Sequence, residues 1–475
     1  MTRLRFFLLA PFFLLGCANE VREVVPPAPT PEPLCAEPLD LVFGSAESRT
    51  PLVGLSVAVD GSCNTYLAGM TEGPIDFGGG PVGETGAPFA FVAKLDPQGK
   101  HLWSRALPVG ASFPGKDVIA VHAQGRVLVA GSLHADVDFG GGPLGGEYVR
   151  AEHPFLLELD ADGHHVWSRR LHGNLPDDLD YEGNFHRAIE GVSFDAEGHF
   201  VITGRFLGHL DLGGVTLMST PQISDPFFTN YKPDVFVARY DTSGGLVWAK
   251  RFGGDVSDFP AGLDVSPSGD TVVLYTQFSE MESAGEPAGL HVKRFSPGGD
   301  VVWSKVFEGS ALDPFGGAVA LSDDGGLVLG GQGILTWPGI GMFGEAFVGR
   351  IDSKGEPMLA ASLTGGSAAV VSGVAPDGSG GIRAVGFFDD TLLVHGKAMA
   401  SSSGGLDVFD AHLEWDDAAN TTSTFGDATD EVALAMAGTK EGTRVIVGVR
   451  GPLVHDLNEH LSPYSKGSRI FLRRR

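Results

Sequence analysis

Basic charge is what this sequence lacks most. Thirty-three lysines and arginines stand against fifty-nine aspartates and glutamates, a formal net charge of −26 over 475 residues. A nucleic-acid protein needs a basic footprint to displace phosphate counterions. The only basic run here is Arg473, Arg474 and Arg475 at the very end, so a nucleic-acid role is excluded. Catalytic signatures are also missing: there is no G-x-S-x-G elbow, H-E-x-x-H pair or P-loop. The histidines are scattered, and His164 and His165 fall in a hairpin turn. Beyond the first residues no segment is apolar for long enough to span a bilayer. What is plentiful is glycine, sixty-nine residues, with thirty prolines. That composition suits a turn-rich all-β protein, and the length allows one large core or two to three domains.

The chain starts MTRLRFFLLAPFFLLGC: two arginines, then an apolar run that is the right length for a secretory signal peptide and short for a membrane span. Its end, Leu14-Leu15-Gly16-Cys17, resembles the lipobox of bacterial lipoproteins. The resemblance implies that residues 1–17 are a lipoprotein signal peptide with its lipobox, that Cys17 is lipidated on sulfur, and that cleavage leaves it as the new N-terminus. With Ala18 rather than Asp following, it implies the outer membrane, on either side. Residues 18–37 are proline-rich and read as an extended tether. Cys35 and Cys63 remain, an even pair in an oxidising compartment, either bonded to each other or two buried thiols.

Self-comparison shows a repeat. FVAKLDPQGKHLW begins at Phe91, FLLELDADGHHVW at Phe155, FVARYDTSGGLVW at Phe236 and HVKRFSPGGDVVW at His291, with weaker copies at Phe347 and Phe409. The first four place Trp103, Trp167, Trp248 and Trp303 at one position. Four residues on, each of the six copies has Leu or Phe. Alternating apolar residues around an Asp/Ser–x–x–Gly turn are a hairpin signature. A second hairpin, such as VAVDGSCNTYLAG or VSFDAEGHFVITG, precedes each and occurs seven times. Four antiparallel strands per repeat predict a seven-bladed β-propeller over 38–475. The final repeat stops at its third strand, RIFLRRR, and the missing strand is LDLVFG, starting at Leu39. The N-terminal strand is therefore expected to close the last blade and remove an exposed sheet edge.

These blades resemble the bacterial SBBP-type β-propeller repeats, strongly in the first three and less so in the last three. The resemblance implies secreted or surface-anchored propellers, mostly of unassigned activity. The hairpin is also similar to the repeat of pyrroloquinoline-quinone propellers, whose tryptophan docks between blades.

Two loops, DFGGGPVG from Asp76 and DFGGGPLG from Asp138, match the dinucleotide pattern G-x-G-x-x-G. No helix follows them and proline interrupts them, so they read as turns in which the Asp side chain bonds nearby backbone. They offer about one carboxylate each where calcium wants six to eight oxygens. Calcium is thus the one metal considered; no cofactor is expected.

The short 1–2 and 3–4 turns share one face and the longer connections the other. Blade 3 has the two longest, carrying Tyr181, Phe185, His186, Phe227, Phe228 and Tyr231. Aromatic anchors on long loops over a rigid scaffold point to a binding face for a protein or glycan. The expectation is a lipid-anchored, monomeric, non-enzymatic binding module. A periplasmic quinoprotein or a hydrolase with a cross-blade site is the alternative. If the face binds, alanine at Phe227, Phe228 and Tyr231 lowers partner capture and leaves the melting temperature nearly unchanged. An equal loss of stability would make these aromatics packing residues instead.

Overall fold

A computed structural model describes Cys35 and residues 38–475, except 46–48, 51–53, 85–87, 145–152, 174–186, 226–227, 255, 279–288, 311–316, 367, 415–418, 439–442 and 453–466. Cys17 and the leader and tether segments lie outside the described residues. The chain forms seven antiparallel sheets arranged as a propeller. Blade 1 runs from its inner strand Ser56–Val59 through Thr65–Glu72 and Pro88–Leu95 to the outer strand His101–Ala106. The other inner strands are Ile119–Val121, Arg187–Phe194, Ser257–Val265, Ala318–Leu321, Ala369–Pro376 and Asp430–Gly438. Each touches the next around the axis, and that of blade 7 returns to blade 1.

Blade 7 is completed by the N-terminal strand Leu39–Phe43, which pairs with Arg469–Arg474 in the register Leu39 to Arg474 and Phe43 to Ile470. Leu39 lies against Gly99 in the outer turn of blade 1, and the Arg474 guanidinium donates to the Pro97 carbonyl in the same turn. Cys35 and Cys63 are disulfide-bonded, with Cα atoms 5.4 Å apart. The closing segment is thereby joined covalently to blade 1.

One cross-strand pair recurs inside the blades. A glycine on the second strand faces a phenylalanine on the third: Gly69 and Phe91, Gly131 and Phe155, Gly204 and Phe236, Gly331 and Phe347, Gly386 and Phe409, Gly448 and Phe471. The ring lies over the glycine where a side chain would stand, the arrangement by which an aromatic covers a strand glycine. In three blades the glycine also faces inner-strand backbone. A Cβ on Gly204, Gly386 or Gly448 would lie 1.9, 1.8 or 2.0 Å from a carbonyl oxygen of the inner strand. There the inner strand bulges by one residue just beyond. Blade 4 departs from the pattern, setting Tyr275 against His291 with stacked rings 4.6 Å apart.

The outer hairpins join one blade to the next. The indole N–H groups of Trp103, Trp248 and Trp303 donate to carbonyls of Ala161, Pro297 and Ser353 at 3.0, 2.9 and 3.2 Å, each in the outer turn of the following blade. The glycine of that turn, Gly163, Gly299 or Gly355, has φ of 78°, 87° or 86° and lies flat against the ring. An Asp/Ser–x–x–Gly turn therefore serves twice: positive φ closes the hairpin, and the missing Cβ admits the neighbour's tryptophan. Trp167 differs, donating to Glu158 Oε2 at 3.0 Å.

Gly386→Ala should cost about 2–4 kcal/mol of unfolding free energy, because backbone stands where the methyl must go. Gly61→Ala, with open space around it and no positive φ, should change stability by less than about 0.5 kcal/mol. Denaturant titration of both variants checks the contrast.

Candidate active site at the propeller axis

Blade 2 breaks the inner-strand rule. Its second strand, Val127–Leu133, pairs with two short pieces, Ala111–Ser112 and Ile119–Val121. Residues 113–117 leave the ladder between them. Pro114 has no N–H to offer a neighbour, and Gly115 passes so close to Glu190 of blade 3 that a Cβ would meet its backbone at 2.6 Å. Asp117 then forms an isolated parallel bridge to Gly191, and its carbonyl accepts the Val192 N–H at 2.9 Å. Lys116 reaches from blade 2 to blade 5, where its ammonium donates to the Gly317 carbonyl.

Blade 3 supplies a carboxylate by a different device. Glu190 is the extra residue of the bulge between Ile189 and Gly191, and a bulge re-aims its side chain. It is ion-paired with Arg205 at 2.8 Å, and both side chains are buried. The Arg205 guanidinium in turn sits 5.5 Å from the Phe259 ring centroid of blade 4. Blade 4 contributes Asp264, whose two oxygens accept the N–H groups of Val265 at 2.8 Å and of Leu321, in blade 5, at 2.7 Å. Three consecutive blades thus carry a carboxylate on or beside their inner strands; Asp264 feels the charge of Asp117, and Asp117 that of Lys116. The inner strands of blades 1, 5 and 6 carry no titratable residue.

Enclosure sets the chemistry of these groups. Burial pushes Glu190 up to about 7, against the opposing pull of Arg205. Burial also raises Asp264 to about 6; the N–H groups of Leu321 and Val265 oppose this and the charge of Asp117 adds to it. Burial raises Asp117 too, with Lys116 opposing. Asp117, Asp264 and Lys116 are half-buried, within reach of water. Two carboxyls whose environments place one proton affinity near 7 and another near 6 can divide the roles of acid and base near neutral pH.

The sequence-derived residues fare differently. Tyr181, Phe185, His186 and Phe227 lie outside the described residues. Phe228 and Tyr231 bound a strand that pairs with Pro221–Asp225, so this part of the loop is a hairpin. The two DFGGGP loops are turns: Asp76 Oδ1 accepts from Gly78 and Gly80 at 2.7 and 3.0 Å, and Asp138 Oδ1 likewise from Gly140 and Gly142. The imidazoles of His101 and His165 stand where Gly79 and Gly141 would carry side chains, which explains why those positions are glycine. Among the described residues one set could hold a metal, Asp377, His412 and Glu414, with ligand atoms within 4.8 Å of one another. Asp377 is already saturated there: it accepts from Ser379, Gly380, Gly381 and the imidazole of His412. The imidazole is also foreign to a calcium site. Sequence reasoning passed over Lys116, Asp117, Glu190 and Asp264. Its available signals were a Pro-Gly pair inside a strand pattern, FPGKDVIAV, and a charge beside glycine in an apolar run, AIEGVSF.

No protein-family model matches the chain, and no curated protein does. Solved structures share the fold. A protein of unknown function from Dyadobacter fermentans DSM 18053 aligns at TM-score 0.41 and 11% identity, over 92% of this chain and 97% of that one. Polysaccharide lyase Uly1 aligns at TM-score 0.45 and 9% identity, over 86% of this chain and 87% of that one. The intramolecular trans-sialidase from Ruminococcus gnavus aligns at TM-score 0.39 and 12% identity, over 90% of this chain and 95% of that one. Likeness at this level is a likeness of fold. The expectation of a non-enzymatic chain finds no support among these neighbours. The structures that share this propeller are mostly enzymes, including polysaccharide lyases, a gluconolactonase and a trans-sialidase.

The raised Glu190 gives a stability prediction with a definite sign. Folded protein holds this proton up to about pH 7, whereas the unfolded chain releases it near 4.5. Stability should therefore fall as pH rises from about 4.5 to 7, by on the order of 3 kcal/mol from this group. In Glu190→Gln that part of the pH dependence should vanish, whatever the variant's absolute stability. Parallel pH–stability curves for the two proteins would show that Glu190 titrates normally.

Proposed function

We propose that this chain is a lipid-anchored hydrolase of the cell envelope, a propeller of SBBP-type repeats that takes a glycan at its long-loop face and cleaves it at the axis. The observation that carries the reading is the placement of Lys116, Asp117, Glu190 and Asp264 on or beside the inner strands of three adjacent blades, with two of the carboxyls displaced toward neutral pH. The lipobox-like LLGC and the tether behind it support the address. Hairpins ending in tryptophan support the repeat type.

In this reading Asp264 is the base. Its carboxylate, fixed by two backbone N–H groups, takes a proton from water as the water oxygen attacks the anomeric carbon. Glu190 is the acid and gives its proton to the departing sugar oxygen as the glycosidic bond breaks. The pair ends with the proton on Asp264, and exchange with solvent restores both groups. Lys116 supplies positive charge beside Asp117, so the site does not accumulate three negative charges on the acid–base pair's flank.

Release of reducing ends from a panel of acidic and neutral envelope polysaccharides tests the proposal. Activity should follow a bell, rising as Asp264 ionises near pH 6 and falling as Glu190 ionises near pH 7. Asp264→Asn and Glu190→Gln should each lower turnover by about 10²-fold or more at that optimum. Turnover unaffected by both changes would place the chemistry elsewhere. Absence of release from every polysaccharide would remove the hydrolase reading.

A further inference from the structure

A second constellation lies where blade 2 meets blade 3, away from the axial carboxylates. Several other enclosed arginines have carboxylate partners: Arg126, Arg294 and Arg444 lie 2.7–2.8 Å from Glu158, Asp270 and Asp410. Arg187 and Arg170 have none among the described residues. Arg187 opens the inner strand of blade 3 and is 1% exposed. Its Nε and Nη2 have no hydrogen-bond partner among the described residues. Gly173 leaves it room, since a Cβ there would lie 2.6 Å from Arg187 Nε. Arg170 ends the outer strand of blade 2, with its Nε also unmatched.

His153 completes the group. Its Nε2 lies 3.1 Å from Arg170 Nη2. Burial, with the charges of Arg170, Arg187 and His172, holds the imidazole down to about 4. The ring is therefore neutral at pH 7, Nε2 accepts from Arg170, and Nδ1–H is left as a donor with no acceptor among the described residues. Four enclosed nitrogens from three residues offer hydrogens to no acceptor among the described residues. Such groups are costly when unmatched, and a chain of net charge −26 has carboxylates to spare. Asp136 is exposed and close enough to raise Arg170 electrostatically; it makes no contact with these nitrogens. The group meets solvent beside half-buried Arg170 and exposed His172.

We propose that His153, Arg170 and Arg187 form a receptor for an oxyanion, either free or carried on a sugar as a carboxylate. Guanidinium forks and a neutral imidazole N–H supply donors only, the complement of an oxygen-rich anion. This receptor does not depend on the axial chemistry and stands if that reading fails.

Calorimetric titration of the full chain at fixed ionic strength tests it, with sodium sulfate and sodium glucuronate as probes and sodium chloride as the blank. Saturable binding is expected in the wild type. It should weaken at least tenfold in Arg187→Met and Arg170→Met and be unchanged in Lys100→Met, which removes an exposed charge. Tighter binding of glucuronate would identify a sugar carboxylate as the preferred source; equal binding would identify the bare oxyanion. The proposal is overturned if neither probe saturates the wild type, or if Arg187→Met binds as well as the wild type. Should circular dichroism show Arg187→Met unfolded, the half-buried Arg170→Met decides in its place.

Discussion

The pairing of a strand glycine with a facing phenylalanine is the constraint on which this propeller rests. It fixes the register of second and third strands in six blades, since a one-residue slip would move the ring off its glycine. In blades 3, 6 and 7 the same glycine lets an inner-strand carbonyl approach to a distance no Cβ would allow. The bulge that follows turns the inner strand and leaves one residue per bulge free to point differently. Glu190 occupies such a position. The local requirement for packing a sheet thus leaves a titratable group at a position the ladder does not use.

Departures from that pattern fall together. Blade 2 interrupts its inner strand around Lys116 and Asp117, blade 3 places Glu190 in its bulge, and blade 4 replaces the glycine–phenylalanine pair with Tyr275 and His291. The anion receptor of His153, Arg170 and Arg187 lies in the same half of the ring. Blades 1, 5 and 6 keep the pair and bring no titratable residue to the axis in their inner strands. In the proposed reading blades 1, 5 and 6 act as scaffold and the irregular blades 2 to 4 carry the chemistry, as expected where function breaks local consistency.

The architecture was legible because its determinants are periodic. Phe91, Phe155 and Phe236 begin recognisable hairpins, the preceding hairpins end in the glycines they face, and Leu39–Phe43 fits the vacant fourth strand. The tryptophans read as blade packing, and Trp103, Trp248 and Trp303 pack in that way. The axial site was not legible, because Asp117, Glu190 and Asp264 are far apart in sequence and share no spacing. Only closure of the ring brings them together. The receptor escaped notice for the same reason: Arg187 and Arg170 are ordinary strand residues until the absence of a facing carboxylate is seen. Attention went instead to loop aromatics, which are conspicuous in sequence and of which Tyr181, Phe185, His186 and Phe227 lie outside the described residues.

A double-mutant cycle at Gly69 and Phe91 tests the central constraint most directly. Here the atoms nearest a new Cβ are side chains, the Phe91 ring and Leu55, with no backbone among them. Gly69→Ala should be strongly destabilising beside Phe91 and much less so beside Leu in Phe91→Leu, giving a coupling of about 1 kcal/mol or more. Additivity within about 0.5 kcal/mol would contradict the account, because the glycine and the ring would then be independent features of the blade.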